Sequence, residues 1–165
     1  MSHASWWGSK VRQFRAHVRA RVVPGERAGL ATWLDPLQLA LFDAMHVADR
    51  RHGLDVVATL RAEGVNETDV LVAGLLHDAG KDQTGVWSRV VYSLGQAYGS
   101  WIWRVAGIVP GVRRDLERLR DHAETSARLA ATAGCSARTV ELIRHQDAPI
   151  DPDAGRLLQL ADEAN

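Results

Sequence analysis

The stretch ETDVLVAGLLHDAGK, residues 67–81, places three ionisable side chains directly after the most apolar run of its surroundings. The apolar residues recur at spacings of three and four, which is typical of an α-helix that packs into a core. Asn66 is a candidate N-cap and Gly80 a candidate C-terminal stop, so we predict that His77 and Asp78 lie in the last turn of this helix. Ionisable groups at the end of a buried helix need a partner, because burial removes their hydration.

The rest of the chain carries helix signals and no strand signals. Asp35 and Pro36 predict the start of a helix that closes at Gly64, and Gly53 is a candidate break within it. Further helices are predicted over residues 9–22, over 88–109, before Gly134, from Ser136 to about His145, and from Asp151 and Pro152 to the C-terminus. We therefore predict an all-α fold, with a single compact helical bundle over residues 35–165 and a basic N-terminal helical extension over residues 1–34.

Composition limits the classes of function. A chain of 165 residues that is 46% hydrophobic is long enough for one core. The formal net charge is zero, which argues against specific nucleic-acid binding. The longest uncharged run, residues 90–103, is shorter than the roughly 20 apolar residues of a transmembrane helix. We expect at most weak membrane-surface contact, through the basic N-terminal helix or the Trp-rich segment 86–104, and the single Cys135 favours a cytoplasmic location.

Several predicted helices carry a metal-ligand type of side chain beside an apolar row. These residues are His122, three after Leu119, His145, three after Leu142, and Asp162, four after Leu158. A carboxylate at the edge of a core either becomes protonated or finds a cation. Histidine nitrogens and carboxylate oxygens without thiolates predict one or two divalent ions from among Mn, Fe, Co, Zn and Mg. Asp49, three residues before His52, is predicted to accept the second ring N–H of that histidine.

Three segments, RRHGLDVVATL, LLHDAGK and LLQLADEAN, resemble the HD-domain superfamily of metal-dependent phosphohydrolases, whose signature is His, then His-Asp, then a distant Asp. The resemblance covers residues 35–165 and implies an HD-domain bundle. It implies that His52 is the first metal ligand, that His77 and Asp78 form the His-Asp pair, and that Asp162 is the final ligand. His46 is a rival for the first position, but the apolar row that follows RRH favours His52.

Two further segments, RDHAETSARLAATAG and ELIRHQDAP, resemble the part of two-metal members that binds a second ion. The resemblance makes His122 and His145 candidate ligands of that ion. The sequence departs from the cyclic-di-GMP phosphodiesterase branch, called HD-GYP, because Gln146 and Asp147 stand where that branch has a second histidine and no Gly-Tyr-Pro follows. Cyclic-di-GMP is therefore not the expected substrate.

The activity implied by the resemblance is hydrolysis of a small phosphoester, with nucleotides among the candidates, by a phosphomonoesterase or phosphodiesterase that uses metal-activated water. Asp78 would bridge the ions and orient the water, and Lys81 would stabilise charge that develops on the phosphate. Two alternatives stay open at this stage. One is a metal-binding regulatory module without turnover, and the other is a di-iron oxygenase that uses the same ligands.

Overall fold

The structure, a computed structural model, describes residues 21–81 and 122–165. These two stretches contain α-helices and no strands, so the predicted all-α fold is confirmed for the part of the chain that is described. The predictions that fall on residues 1–20 and 82–121, among them the basic N-terminal helix and the 88–109 helices, lie outside it. The helices are α1 (Pro24–Leu30), α2 (Pro36–Ala44), α3 (Val47–Ala62), α4 (Thr68–Leu76), a 3₁₀ helix (Ala79–Lys81), α5 (His122–Thr132), α6 (Ala137–Arg144) and α7 (Ala154–Ala164).

Helix α4 is the centre of the bundle. All of its residues from 70 to 76 are buried, and α2, α3, α6 and α7 pack against it. A helix that is apolar on every side is stable only where neighbours cover it all round, and the VLVAGLL run meets this condition. The residues that directly follow α4, His77 and Asp78, therefore lie inside the core.

The break between α2 and α3 lies at Met45 and His46, so the prediction of a break at Gly53 is wrong. Extended backbone at both residues ends α2, and the Nδ1 atom of His46 accepts a hydrogen bond from the backbone N–H of Ala48 at 3.2 Å. This contact makes His46 the N-cap of α3. Gly53 is an interior residue of α3, and Gly64, with φ of 84°, follows the end of that helix as predicted.

Gly53 marks the place where α3 crosses α4 most closely. A methyl group on its Cα would lie 2.4 Å from the carbonyl oxygen of Leu75, so the backbone would have to shift to accept it. The glycine is therefore required for the approach of two backbones and not for a turn. The consequence is that the residue before it, His52, is held against the end of α4.

The limits of α4 differ from the predicted ones at both ends. Glu67 is its N-cap, whereas the side chain of Asn66 donates a hydrogen bond to the carbonyl oxygen of Gly64. The helix ends at Leu76, so His77 and Asp78 lie in the turn after it and not in its last turn. Sequence periodicity cannot locate this end, because the apolar run and the turn are continuous.

The turn after α4 is locked against α5 through Gly80. Its backbone N–H donates to the Oγ atom of Ser126 at 2.8 Å, and a methyl group at position 80 would lie 2.6 Å from the carbonyl oxygen of His122. Only a glycine allows the turn to approach α5 this closely. The contact brings His122 next to the His-Asp pair.

The predicted start at Ser136 and the predicted stop at Gly134 are confirmed, whereas the last helix begins at Ala154, with Asp153 as its N-cap, and not at Asp151 and Pro152. The hydroxyl of Ser136 accepts from the backbone N–H of Thr139 at the start of α6, and Asp151 accepts from the N–H of Ala154 at the start of α7. Gly134, with φ of 78°, follows α5.

Residues that the sequence assigned to the extension also contribute to the core. Leu30 and Leu34 are buried there, and Glu26 of α1 accepts from Arg51 of α3 at 2.6 Å. The boundary at residue 34 stays a prediction.

None of the helices within residues 21–81 and 122–165 has the length and apolar character needed to cross a bilayer. The segment 86–104 lies outside these residues.

Substitution of Gly53 by alanine tests the close crossing of α3 and α4. We expect Gly53→Ala to lower the free energy of unfolding by about 1–3 kcal/mol, the usual cost of overpacking a core, because the Leu75 carbonyl must move. Urea unfolding monitored by circular dichroism measures the change. Gly29→Ala in α1 is the matched control, because a methyl group there meets nothing within 4 Å. Equal stability of the two variants would contradict the close crossing.

Candidate metal centre

The four residues of the predicted ligand set meet at one end of α4. His52 comes from α3, His77 and Asp78 from the turn after α4, and Asp162 from α7. The Nε2 atoms of His52 and His77 lie 2.7 Å and 3.3 Å from the same oxygen, Oδ1 of Asp162. The ligand atoms of these two histidines and of Asp162 all lie within 4.8 Å of one another. Residues far apart in the chain therefore form one group of the size that a single metal ion needs.

The ring of His77 is held by its other nitrogen. The Nδ1–H donates to the carbonyl oxygen of Gly74, 3.0 Å away, so Nε2 is the atom that faces Asp162 and Asp78. A backbone acceptor on the far nitrogen is the usual way in which proteins orient a histidine toward a metal. The ring of His52 lies edge-on to the ring of His77, with 5.2 Å between the ring centroids.

Two buried atoms of the site lack a hydrogen bond. Within the described residues, Nε2 of His77 and Oδ1 of Asp78 have no hydrogen-bond partner, although they lie 3.4 Å apart and both side chains are only 2% exposed. Buried polar atoms without partners are rare, and at functional sites they mark the place of an ion or ligand. A cation between these two atoms would satisfy both, so the donor set fits a metal ion.

The charges of the site support the same conclusion. Burial by itself lowers the pKa of His77, but the carboxylates of Asp78 and Asp162 outweigh burial and raise this pKa to about 9. Burial raises the pKa of Asp78, yet the positive charges of His77 and Lys81 hold this pKa well below its usual range. Burial likewise opposes ionisation of Asp162, and the neighbouring imidazoles of His52 and His77 hold its pKa well below the usual range. Two carboxylates that stay ionised attract positive charge to this place.

The site is buried at one end and open at the other. The side chains of His77 and Asp78 are 2% exposed, that of His52 is 24% exposed and that of Asp162 is 43% exposed. An ion held by all four residues would be anchored from inside while solvent reaches it from the side of α7. A site with an open side suits a catalytic metal more than a structural one, because a structural ion is enclosed by its protein ligands.

Lys81 pairs with the other oxygen of Asp78. Its Nζ atom lies 2.6 Å from Oδ2, and its side chain is 25% exposed. Burial lowers the pKa of Lys81, but the carboxylates of Asp78, Asp162 and Asp49 outweigh this and raise it. Asp49 is buried, and the predicted hydrogen bond between Asp49 and His52 stays a prediction.

His122 joins the site from α5. It is buried, and its Nε2 atom lies 3.8 Å from Oδ1 of Asp78. Its close partner is Gln146, whose side-chain Nε2 lies 3.4 Å from Nε2 of His122 and 3.3 Å from the carbonyl oxygen of His77. Sequence reasoning did not assign Gln146 to the site. The spacing of the apolar residues could have indicated it, because Gln146 follows the buried residues Leu142 and Ile143 by four and three positions and so lies on the same face of the helix.

The structure places His145 on a different face from its neighbour Gln146. The imidazole is half-buried, its Nε2 lies 3.4 Å from a carboxylate oxygen of Glu141, and it lines a groove of about 110 Å³ with Arg138, Pro149 and Ile150. His145 is not in the group of ligand atoms found among the described residues. Its predicted role as a ligand of a second ion therefore lacks a supporting contact there.

No protein-family model matches the sequence, and neither a curated protein nor a solved structure matches it. What the site can do follows from its own chemistry. Two imidazoles with one or two carboxylates make a ligand set of intermediate hardness, which accepts Mn, Fe, Co or Zn. The identity of the metal stays a prediction.

Substitution of Asp162 tests the ligand group. We expect Asp162→Asn to weaken Co²⁺ or Mn²⁺ binding by more than about 100-fold, since loss of a residue that merely supports a ligand already costs 10–100-fold. Isothermal titration calorimetry on protein freed of metal by a chelator measures the affinity. Bound ion should also raise the melting temperature of the wild type, by an amount that grows with ion concentration.

The matched control is Asp153→Asn, which removes the same charge from an exposed position before α7. It should bind the ion as the wild type does. Unchanged affinity in Asp162→Asn, or an equal loss in Asp153→Asn, would contradict the ligand group.

Proposed function

We propose that the chain is an HD-type metal-dependent phosphohydrolase that hydrolyses small phosphoesters. One observation carries the proposal: the buried carboxylate of Asp78 presents one oxygen to the candidate metal group and the other to the ammonium of Lys81. This arrangement aligns a metal position and a fixed cation on the same side chain. The order of His52, His77, Asp78 and Asp162 in the chain, which resembles the HD signature, supports the same reading.

The ligand group His52, His77 and Asp162, with Oδ1 of Asp78, would hold the ion. A bound divalent ion supplies a Lewis acid, which lowers the pKa of water and polarises a phosphoryl oxygen. The chain itself must supply position and charge. His77 is oriented by the Gly74 carbonyl, and Asp78 is enclosed by the core, so both are preorganised for this task.

Asp78 acts in this proposal as a permanent anion. Because its pKa is held well below the usual range, it serves as a ligand and a hydrogen-bond acceptor and not as a proton donor. Its second oxygen holds the ammonium of Lys81 at 2.6 Å and so fixes where that charge lies.

Lys81 provides the positive charge that a phosphoryl group needs. Its raised pKa keeps it protonated, and its partly exposed side chain lies between the buried Asp78 and solvent. A positioned cation of this kind stabilises negative charge that develops on phosphoryl oxygens during hydrolysis. Phosphoesters are therefore the substrate class that the site suits, and nucleotides are candidates within it. A cytoplasmic location is part of the proposal because the single cysteine, Cys135, has no partner for a disulfide within the chain.

A substrate panel tests the proposal. The purified protein is freed of metal, reloaded with Mn²⁺ or Co²⁺, and assayed with p-nitrophenyl phosphate, bis-p-nitrophenyl phosphate and nucleoside mono-, di- and triphosphates. We expect metal-dependent hydrolysis of at least one class, and none in Asp78→Ala. Tight metal binding without turnover on the whole panel would favour the regulatory module, and bound iron with oxygen consumption would favour the oxygenase.

The role of Lys81 has a separate test. We expect Lys81→Met to keep the bound metal and to lower kcat by about 10²–10³-fold, the usual effect of removing one group that stabilises transition-state charge. Arg128→Met, which removes an exposed cation of α5, is the matched control and should leave kcat unchanged. Full activity of Lys81→Met would reduce Lys81 to a structural partner of Asp78.

A further inference from the structure

The two oxygens of Asp78 have different neighbours. Nε2 of His77 lies 3.4 Å from Oδ1 and Nε2 of His122 lies 3.8 Å from it, so both imidazoles face the same oxygen. Oδ1 is also the oxygen that has no hydrogen-bond partner within residues 21–81 and 122–165. The other oxygen, Oδ2, lies 2.6 Å from the Nζ atom of Lys81. An ion that joins Asp78 to the candidate ligand group would therefore bind at Oδ1.

Lys81 is tied to Asp78 by two hydrogen bonds. Its backbone N–H donates to the carbonyl oxygen of Asp78 at 3.0 Å, and its ammonium donates to Oδ2. The residue directly before it, Gly80, is held against α5 by the hydrogen bond from its own N–H to the hydroxyl of Ser126. The bond to Oδ2 is short and joins opposite charges, which makes it one of the stronger kinds of hydrogen bond. The turn after α4 therefore places the ammonium beside Oδ2.

This pairing limits the ways in which Asp78 can bind an ion. A carboxylate binds a metal through one oxygen or through both. If Asp78 used both oxygens, Oδ2 would have to turn away from the ammonium, and the ion would move toward a positive charge in a place where the carboxylate is only 2% exposed. If Asp78 uses one oxygen, it binds the ion at Oδ1 and keeps the ammonium at Oδ2, because each oxygen has its own lone pairs.

We propose that Lys81 is a positioning residue that restricts Asp78 to binding the ion through one oxygen, and so leaves a coordination position for a ligand that is not part of the chain. This inference rests on the proposed function only in that it places an ion between Asp78 and the group His52, His77 and Asp162. An open position is what distinguishes a catalytic ion from a structural one. The role differs from stabilisation of charge on a phosphoryl group, because it exists without substrate.

Infrared spectra of Mn²⁺-loaded protein test the inference without substrate. The two carboxylate stretching bands are widely separated when one oxygen binds the ion and close together when both bind it. Aspartate labelled with ¹³C identifies these bands in the difference between loaded and metal-free protein. We expect a widely separated pair in the wild type, which Lys81→Met should replace with a narrowly separated one because Oδ2 is released. The wild-type spectrum alone tests the inference if Lys81→Met does not fold.

The relaxation of water protons by bound Mn²⁺ measures the open position directly. Mn²⁺ favours octahedral coordination, so a second oxygen from Asp78 would displace one of the few waters on the ion, and Lys81→Met should lower the relaxation rate per ion by about half. Lys81→Arg keeps a cationic donor for Oδ2 and should retain the wild-type values. The matched control is Arg128→Met, which removes an exposed cation of α5 and should also retain them.

The outcomes separate this inference from the proposed function. A wild type without the widely separated band pair, or spectra and relaxation rates that Lys81→Met leaves unchanged, would overturn the positioning role of Lys81 while leaving a hydrolase in place. The expected changes in Lys81→Met, together with no hydrolysis of any phosphoester by the wild type, would support the positioning role and overturn the hydrolase. A wild type that retains no Mn²⁺ would overturn both.

Discussion

Two buried atoms impose the constraint on which the structure depends. Nε2 of His77 and Oδ1 of Asp78 face each other at 3.4 Å in the core, and neither has a hydrogen-bond partner among the described residues. A buried polar atom without a partner costs free energy unless a proton or an ion is shared there. The surrounding carboxylates raise the pKa of His77, so the pocket favours positive charge. A divalent ion would meet the same demand.

The helical bundle is arranged around this constraint. Gly53 lets α3 cross the end of α4 and brings His52 to His77, and Gly80 lets the following turn press against α5 and brings His122 to Asp78. Close approaches of backbone to backbone fix distances more firmly than contacts between long side chains, because few soft torsions lie between them. The cluster thus has rigid support on its buried side, while Asp162 leaves it open toward solvent.

The polar residues around Asp78 divide the site into two halves of different character. On the side of Oδ1 lie the imidazoles of His52 and His77 and the carboxylate of Asp162, a group that could hold an ion. Oδ2 pairs with the Lys81 ammonium, whereas Nε2 of His122 lies 3.8 Å from Oδ1 and 3.4 Å from Nε2 of Gln146.

The sequence alone determined the features that depend on local chemistry. The all-α class, the cap at Ser136 and the glycine after α3 follow from spacing and residue type, because helices and their ends obey short-range rules. The set of four clustered residues came from the resemblance of the sequence to the HD signature. Tertiary structure decided what depends on the partner of each side chain. Gly53 is a crossing point and not a break, Gln146 and not His145 enters the site, and Asp78 divides its oxygens between His77 and Lys81. These contacts join different helices or depend on the turn that follows α4, and periodicity within one helix carries no information about which neighbour it will meet.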